Sequence, residues 1–346
     1  MELNLSLSRI LIVKLSALGD IVHALPAVSR LIRAFPDAQI DWLVEEKNRA
    51  IIDMSRMDIG VIPIDTKALR KKFRFNGLAK IVQTVKNIQA VRYDCVIDFQ
   101  GLIKSALLTF LSGAPLRIGF SYTSVKEPIA SFFYTKRVPA TRVHIVEQLY
   151  ELLSPLDVAP TDARTPLLFA PDHNQIVIRD KLHRLSRYVL IHPGGSWATK
   201  RWHRFSELAV ALAKGGLPVV ITCAPNEKEL LFDANLSPES GVYQFTTTLE
   251  EFVALCEGAS LFVGGDSGPL HIATSMGIPI VALFGPTSSA RNGPLNKEDI
   301  VVERTLPCRP CMKRDHCPLG HWHCMEEISV EEVYKACLHR IWLGVR

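Results

Sequence analysis

One carboxylate, Asp20, stands among small and apolar neighbours in "KLSALGDIVHALP", residues 14–26. An acid in such a place can take a proton from a reacting hydroxyl as a general base, or accept the unpaired N–H groups of a first helical turn as a cap. Two glycine-rich turns farther along suit a different chemistry. In "HPGGSWATKRW", Gly194 and Gly195 precede Ser196 and Lys200; in "GGDSGPLHIATSMG", Gly264, Gly265 and Gly268 bracket Asp266 and Ser267. Glycines let the backbone come close to a ligand, and a helix starting near Pro269 offers free N–H groups and a positive dipole end. Lys200 adds a cation, so the pair of turns fits a nucleotide diphosphate. Neither turn reads as GxGxxG or a Walker loop, which disfavours a hydride-transferring dehydrogenase and a P-loop kinase.

Two further clusters carry chemistry. "CRPCMKRDHCPLGHWHC" holds Cys308, Cys311, Cys317 and Cys324 with three histidines between them. These are ligand types for a structural tetrahedral zinc, although the spacing is irregular and short for a zinc ribbon. The alternative is reduced thiols in a packed C-terminal segment, since a persistent disulfide is not expected in cytosol. Between Thr66 and Tyr93 the chain carries Lys67, Arg70, Lys71, Lys72, Arg74, Lys80, Lys86 and Arg92 without one acid. Such a run is either a solvated helix face or a site for anions, whether phosphates or an acidic membrane surface. Nucleic acid is the weakest partner, because no aromatic-interleaved RNA motif or recognition helix accompanies the charge.

The elements that must position these residues are legible as alternating short apolar strands and helical patterns. "ILIVKL", "IDWLVEE", "VIPID", "YDCVIDFQG" and "LRIGF" form one series; "YVLIHPGGSW", "PVVITCAPNE", "LFVGGDSG" and "PIVALFG" form a second after the Pro- and Asp-rich "LDVAPTDARTPLLFAPDHNQ". This is the pattern of βαβ units, and it predicts two α/β halves with a cleft between them. A length of 346 residues agrees with two domains, and 48% hydrophobic with 22% charged residues is a globular composition. No apolar run is long enough to span a bilayer, and the N-terminus lacks the basic region and cleavage site of a signal peptide. A cytoplasmic protein is expected.

The motifs "ILIVKLSALGDIVHALPAV", "YDCVIDFQGLIKSALL", "KEPIASFFY", "HPGGSWATKRW" and "FVGGDSGPLHIATSMGIPIVALFGPT" together resemble glycosyltransferase family 9, the ADP-heptose:lipopolysaccharide heptosyltransferases. The resemblance covers nearly the whole chain in the family's order, and the N-terminal half is most similar to heptosyltransferase I. It implies a GT-B fold of two Rossmann-like α/β domains: 1–165 for the acceptor and the base, and 166–346 for ADP-heptose, ending in the Cys-rich segment.

The resemblance also implies roles. Asp20 becomes the base of an inverting transfer, with capping as an added duty. Ser16, Gly19 and Gln100 fall with the acceptor, and the basic run at Arg70, Lys71 and Lys72 meets Kdo carboxylates or lipid A phosphates. Ser196, Lys200, Asp266, Ser267, Gly268, Leu270 and His271 surround the donor, together with an acid that is either Glu227 or Glu229. No cofactor is required. The partners implied are ADP-heptose, Kdo-lipid A and the cytoplasmic face of the inner membrane, on which the protein would lie peripherally. The Cys-rich tail is found in heptosyltransferase II-like members, so an acceptor that already carries heptose stays open. So does a catalytically silent nucleotide-sugar or lipopolysaccharide binding module, against which the intact Asp20 and "GGDSGPLH" argue.

Overall fold

The computed structural model describes residues 7–66, 75–158, 166–182, 185, 187–230 and 236–343. The chain divides into two compact units, Met1–Ala163 and Arg164–Arg346.

The first unit is built on a parallel sheet of six strands: β1 (Arg9–Val13), β2 (Gln39–Glu45), β3 (Gly60–Ile64), β4 (Cys95–Asp98), β5 (Leu116–Phe120) and β6 (Lys136–Val138). They lie in the order β3-β2-β1-β4-β5-β6. Ile10, Leu11, Ile12 and Val13 in β1 are wholly buried, as a central parallel strand covered on both faces requires. The second unit repeats the plan with β7 (Tyr188–His192), β8 (Val219–Cys223), β9 (Val242–Thr246), β10 (Ala259–Gly265), β11 (Ile280–Phe284) and β12 (Ile300–Glu303), ordered β12-β11-β10-β7-β8-β9. Numbered within each unit, both sheets have the 3-2-1-4-5-6 order of the doubly wound fold. The order therefore reverses between β1 and β4 in the first unit and between β7 and β10 in the second. In open α/β sheets, ligands bind beyond the carboxyl ends of the strands at that reversal.

The strands that the sequence pattern did not single out, β6, β9 and β12, all lie at sheet edges. β6 is only three residues long, and in β12 just Val302 is buried. An edge strand covered on one side does not need a continuous apolar run, which is why the pattern passes over it. No helix among the described residues is long and apolar enough to cross a membrane.

Candidate active site

Asp20 sits at the reversal point of the first sheet. β1 runs into the turn 14–17, and the helix Leu18–Ala34 follows, with Asp20 at its third position. Its Oδ2 accepts the Ala17 N–H at 3.2 Å. This is half of a capping box, because Ala17 has no side-chain oxygen to return the bond. The cap occupies one carboxylate oxygen of a half-buried side chain.

The turn that carries Asp20 is pinned from several sides. Gln100 Oε1 accepts the N–H groups of Leu15 and Ser16 at 3.1 and 3.0 Å. Asn48 Nδ2 donates to the Leu15 carbonyl at 3.0 Å, Trp42 Nε1 to the Lys14 carbonyl at 3.1 Å, and Lys14 Nζ to the Phe99 carbonyl at 2.9 Å. Gln100, expected against the acceptor, thus spends its carbonyl oxygen on the backbone just ahead of Asp20. Ser16 and Gly19 stand in the same turn and the first helical turn.

Behind Gln100 lies a residue that the sequence reading missed. Asp98, at the end of β4, is wholly buried. Its Oδ1 accepts the N–H groups of Gln100 and Gly101 at 2.8 and 3.1 Å, and its Oδ2 accepts the hydroxyls of Ser105 and Tyr134 at 2.8 and 2.7 Å. Burial pushes its carboxyl up, and the four hydrogen bonds only partly offset that. Gly101 takes φ +67°, a conformation that favours glycine. The signal was the acid closing the apolar strand in "YDCVIDFQG", directly before the turn. Lys104, also passed over, stands 3.5 Å from the buried Glu45 carboxylate at the end of β2. Arg70, Lys71 and Lys72 lie outside the described residues.

The expected donor residues gather at the reversal point of the second sheet, after β7 and β10. Lys200 Nζ reaches Asp266 Oδ2 at 2.8 Å and the Asp266 carbonyl at 3.0 Å, and lies 4.3 Å from the centre of the Trp197 ring. His271 Nε2 stands 3.3 Å from Asp266 Oδ1. Burial by itself would raise the Asp266 carboxyl, but the His271 hydrogen bond and the Lys200 charge outweigh it and hold it well below the usual carboxylate range. The helix Gly268–Ser275 starts here with Pro269 in its first turn. Ser267 precedes it but makes no side-chain cap, and its buried Oγ has no hydrogen-bond partner among the described residues. Ser196 is exposed at the rim. Leu270 is fully buried, so the part expected of it falls to its backbone.

The two glycine turns meet closely. A Cβ on Gly264 would lie 3.1 Å from the His192 carbonyl and 2.8 Å from the Phe262 ring. One on Gly194 would lie 2.4 Å from Glu227 Oε2 and 2.7 Å from His192 Cε1. This places Glu227 against the turn, while Glu229 is exposed. Of the two acids left open by the sequence, Glu227 is the one beside the glycines. His192 beneath them is buried, and burial lowers its imidazole to about 4.

The Cys-rich segment braces the same turn from behind. Thr199 Oγ1 donates to the Lys313 carbonyl at 2.6 Å, and the Met312 N–H donates to the Pro286 carbonyl at 3.0 Å. Arg309 ties the Gly285, Arg304 and Thr287 carbonyls together and pairs with Glu303 at 2.9 Å. Cys308, Cys311, Cys317 and Cys324 are half-buried free thiols. Among the described residues no group of three or more His, Cys, Asp or Glu side chains is gathered closely enough to hold a metal ion. The expectation of zinc therefore finds no support in the arrangement of these side chains, and the segment's visible contribution is its packing.

Two Rossmann-like sheets, with Asp20 at the reversal point of one and a glycine-lined turn at that of the other, are the architecture of the GT-B glycosyltransferases. The chain belongs to glycosyltransferase family 9 (heptosyltransferase), whose profile matches residues 81–323. It is 31% identical over 326 residues to lipopolysaccharide heptosyltransferase 1 of Pseudomonas aeruginosa, covering 88% of this chain and 86% of that one. To lipopolysaccharide heptosyltransferase 3 of Escherichia coli it is 29% identical over 278 residues, covering 78% and 80%. Among solved structures it is similar to the E. coli heptosyltransferase WaaC with ADP-2-deoxy-2-fluoro heptose, with a TM-score of 0.72 and 25% identity over 95% of this chain and 99% of that chain.

Proposed function

We propose that this protein transfers L-glycero-D-manno-heptose from ADP-heptose to the Kdo region of lipid A, forming the inner core of lipopolysaccharide. The observation that carries the reading is the Lys200–Asp266–His271 cluster at the start of the helix Gly268–Ser275, with glycines on both turns beside it. Similarity to a transferase solved with an ADP-heptose analogue agrees with it.

The chemistry follows from charge. A departing ADP gains negative charge on its terminal phosphate, and free N–H groups at a helix start together with the Lys200 ammonium stabilise that charge without reorganising. Asp266 keeps Lys200 aimed into the turn and, being an acid, must itself stay paired to avoid repelling the phosphates. Glu227, beside Gly194, suits the hydroxyls of the donor's ribose or sugar. Asp20 takes the proton of the attacking Kdo hydroxyl; that oxygen bonds to the anomeric carbon as the bond from this carbon to phosphate breaks, and configuration inverts. Asp98 and Gln100 serve as positioning residues, holding the turn that aims Asp20. The protein works in the cytoplasm at the inner membrane surface, where a lipid-linked acceptor is presented.

Incubation with ADP-heptose and Kdo2-lipid A, beside the same acceptor already carrying one heptose, tests the reading. Transfer to the unheptosylated acceptor, at least tenfold preferred in kcat/KM, is the expected result. A preference for the heptosylated acceptor would instead support a later core transferase. Absence of transfer to either, with ADP-heptose still bound, would support a binding module.

A further inference from the structure

The helix Ile103–Leu111, which follows the Gln100 turn, is inside out. A surface helix ordinarily turns its apolar stripe to the core. Here the buried face is Ser105, Ala106, Leu108 and Thr109, and the large apolar residues Ile103, Leu107, Phe110 and Leu111 point outward, between 36% and 50% exposed. Their spacing of four, three and one makes a continuous outer stripe.

The short helix Pro128–Phe133 continues the surface. Ile129 is 58% exposed and Phe132 67%, and Tyr122, 56% exposed, stands edge-on to Phe132 at 6.1 Å. Phe110 meets Phe133 edge-on at 5.8 Å, which joins the two helices' patches into one. Contiguous exposed apolar surface of this kind is unusual on a soluble protein and marks an interaction face.

The rim decides between occupants. Besides Lys104, which stands by Glu45, residues 103–137 hold Arg117, Lys126, Lys136 and Arg137 against one acid, Glu127, whose carboxylate is engaged by the Ile103 N–H at 2.6 Å. Arg117 and Arg137 lie over the Phe110 and Phe132 rings at 5.5 and 5.9 Å, so the cations stand directly beside the exposed aromatics. A second copy of this chain, meeting the face with its own, would bring two basic rims together. An anionic bilayer offers what the face requires: an apolar boundary for the aromatic and aliphatic side chains, and phosphates at headgroup depth for the cations.

We propose that this face, centred on Leu107, Phe110, Ile129 and Phe132, docks the first unit on an anionic lipid bilayer. The purpose of docking rests on the reading above, in which the acceptor is lipid-linked; the docking itself needs only the bilayer.

The test uses the full chain and vesicles without any acceptor, of phosphatidylcholine alone or with phosphatidylglycerol added. Flotation should show binding to the anionic vesicles, weakened roughly tenfold or more without phosphatidylglycerol and weakened again by added salt. The double variant I129S/F132S should bind at least about tenfold more weakly with its Tm unchanged, because both side chains are exposed. The pair K136Q/R137Q, which leaves the apolar residues alone, should lose the preference for anionic lipid. Wild-type binding by both variants, or no binding by the unmodified chain, would overturn the proposal. So would a dimer that I129S/F132S dissociates in sedimentation velocity while vesicle binding persists, since the face would then join copies of the chain. A water-soluble Kdo acceptor without acyl chains separates this proposal from the functional one: I129S/F132S should use it as the unmodified chain does and lose rate only on acceptor embedded in vesicles. If the unmodified chain binds vesicles through this face yet glycosylates no Kdo acceptor, the acceptor reading fails and the docking stands.

Discussion

Lys200 Nζ lies 2.8 Å from Asp266 Oδ2 and 3.0 Å from the carbonyl oxygen of the same residue. One ammonium thus ties the turn after β7 to the turn after β10, the two strands between which the second sheet reverses. The ion pair has a structural duty and, if a diphosphate binds there, a chemical one, and the two can be separated. Lys200→Ala should lower Tm, because it leaves the buried Asp266 carboxylate short of its cation, and should also weaken binding of ADP. In K200A/D266N the ammonium and the carboxylate are removed together, and an asparagine amide still faces His271, so Tm should recover towards that of the parent. Affinity for ADP should stay down by roughly tenfold to a hundredfold, the equivalent of about 1.5–3 kcal/mol for a charge-assisted contact. Calorimetry that found parental ADP affinity in the double variant would remove Lys200 from the donor site.

Asp20→Asn tests the base. Asparagine keeps an oxygen that can accept the Ala17 N–H, so Tm should hold within a few degrees while kcat falls by roughly a hundredfold or more. Turnover near the parental rate, at parental stability, would leave Asp20 with its capping role alone.

Gly194→Ala tests the close approach of the first glycine turn. The added methyl would stand 2.4 Å from Glu227 Oε2, which can swing aside, and 2.7 Å from His192 Cε1, which is buried and cannot easily do so. The turn should shift, raising the KM for ADP-heptose by roughly tenfold with a smaller change in kcat. An unchanged donor KM would show that the turn does not touch the donor.

His192 gives stability a pH dependence. Its imidazole is lowered to about 4 in the folded chain, by burial, from about 6.5 when unfolded. The unfolded chain therefore binds the proton first as pH falls. The stabilisation from keeping this group neutral is complete above about pH 6.5 and is lost progressively down to about 4, amounting to about 2 kcal/mol by pH 5. Asp266, depressed by its partners, would titrate only at more acid pH and does not contribute in this window. Denaturation of the parent and of His192→Phe between pH 7 and 5 should give the variant the shallower slope. Parallel slopes would assign the acid sensitivity to other groups.

The glycine-rich turns and the strand-and-helix alternation of an α/β chain were legible in the sequence, because each rests on local information. A β-branched run makes a strand wherever it falls, and glycines next to a helix start leave its first N–H groups approachable wherever that helix packs. Asp20 was legible as base or cap for the same reason. What the sequence could not supply was anything that depends on which strands become neighbours. That β4 lies beside β1 turns Asp98 and Gln100, some eighty residues from Asp20, into the support of its turn. That β10 lies beside β7 turns Lys200 and Asp266 into a pair. The choice between Glu227 and Glu229 is likewise a matter of which side chain the chain folds back against Gly194. The inverted helix is the sharpest instance. "IKSALLTFL" reads as an ordinary amphipathic stretch, and either face could have gone inward. Asp98 draws Ser105 inward to hydrogen-bond its carboxylate, which sends Leu107 and Phe110 out to the surface. Periodicity fixes the existence of a face; only the partners brought from elsewhere in the chain decide which way it turns.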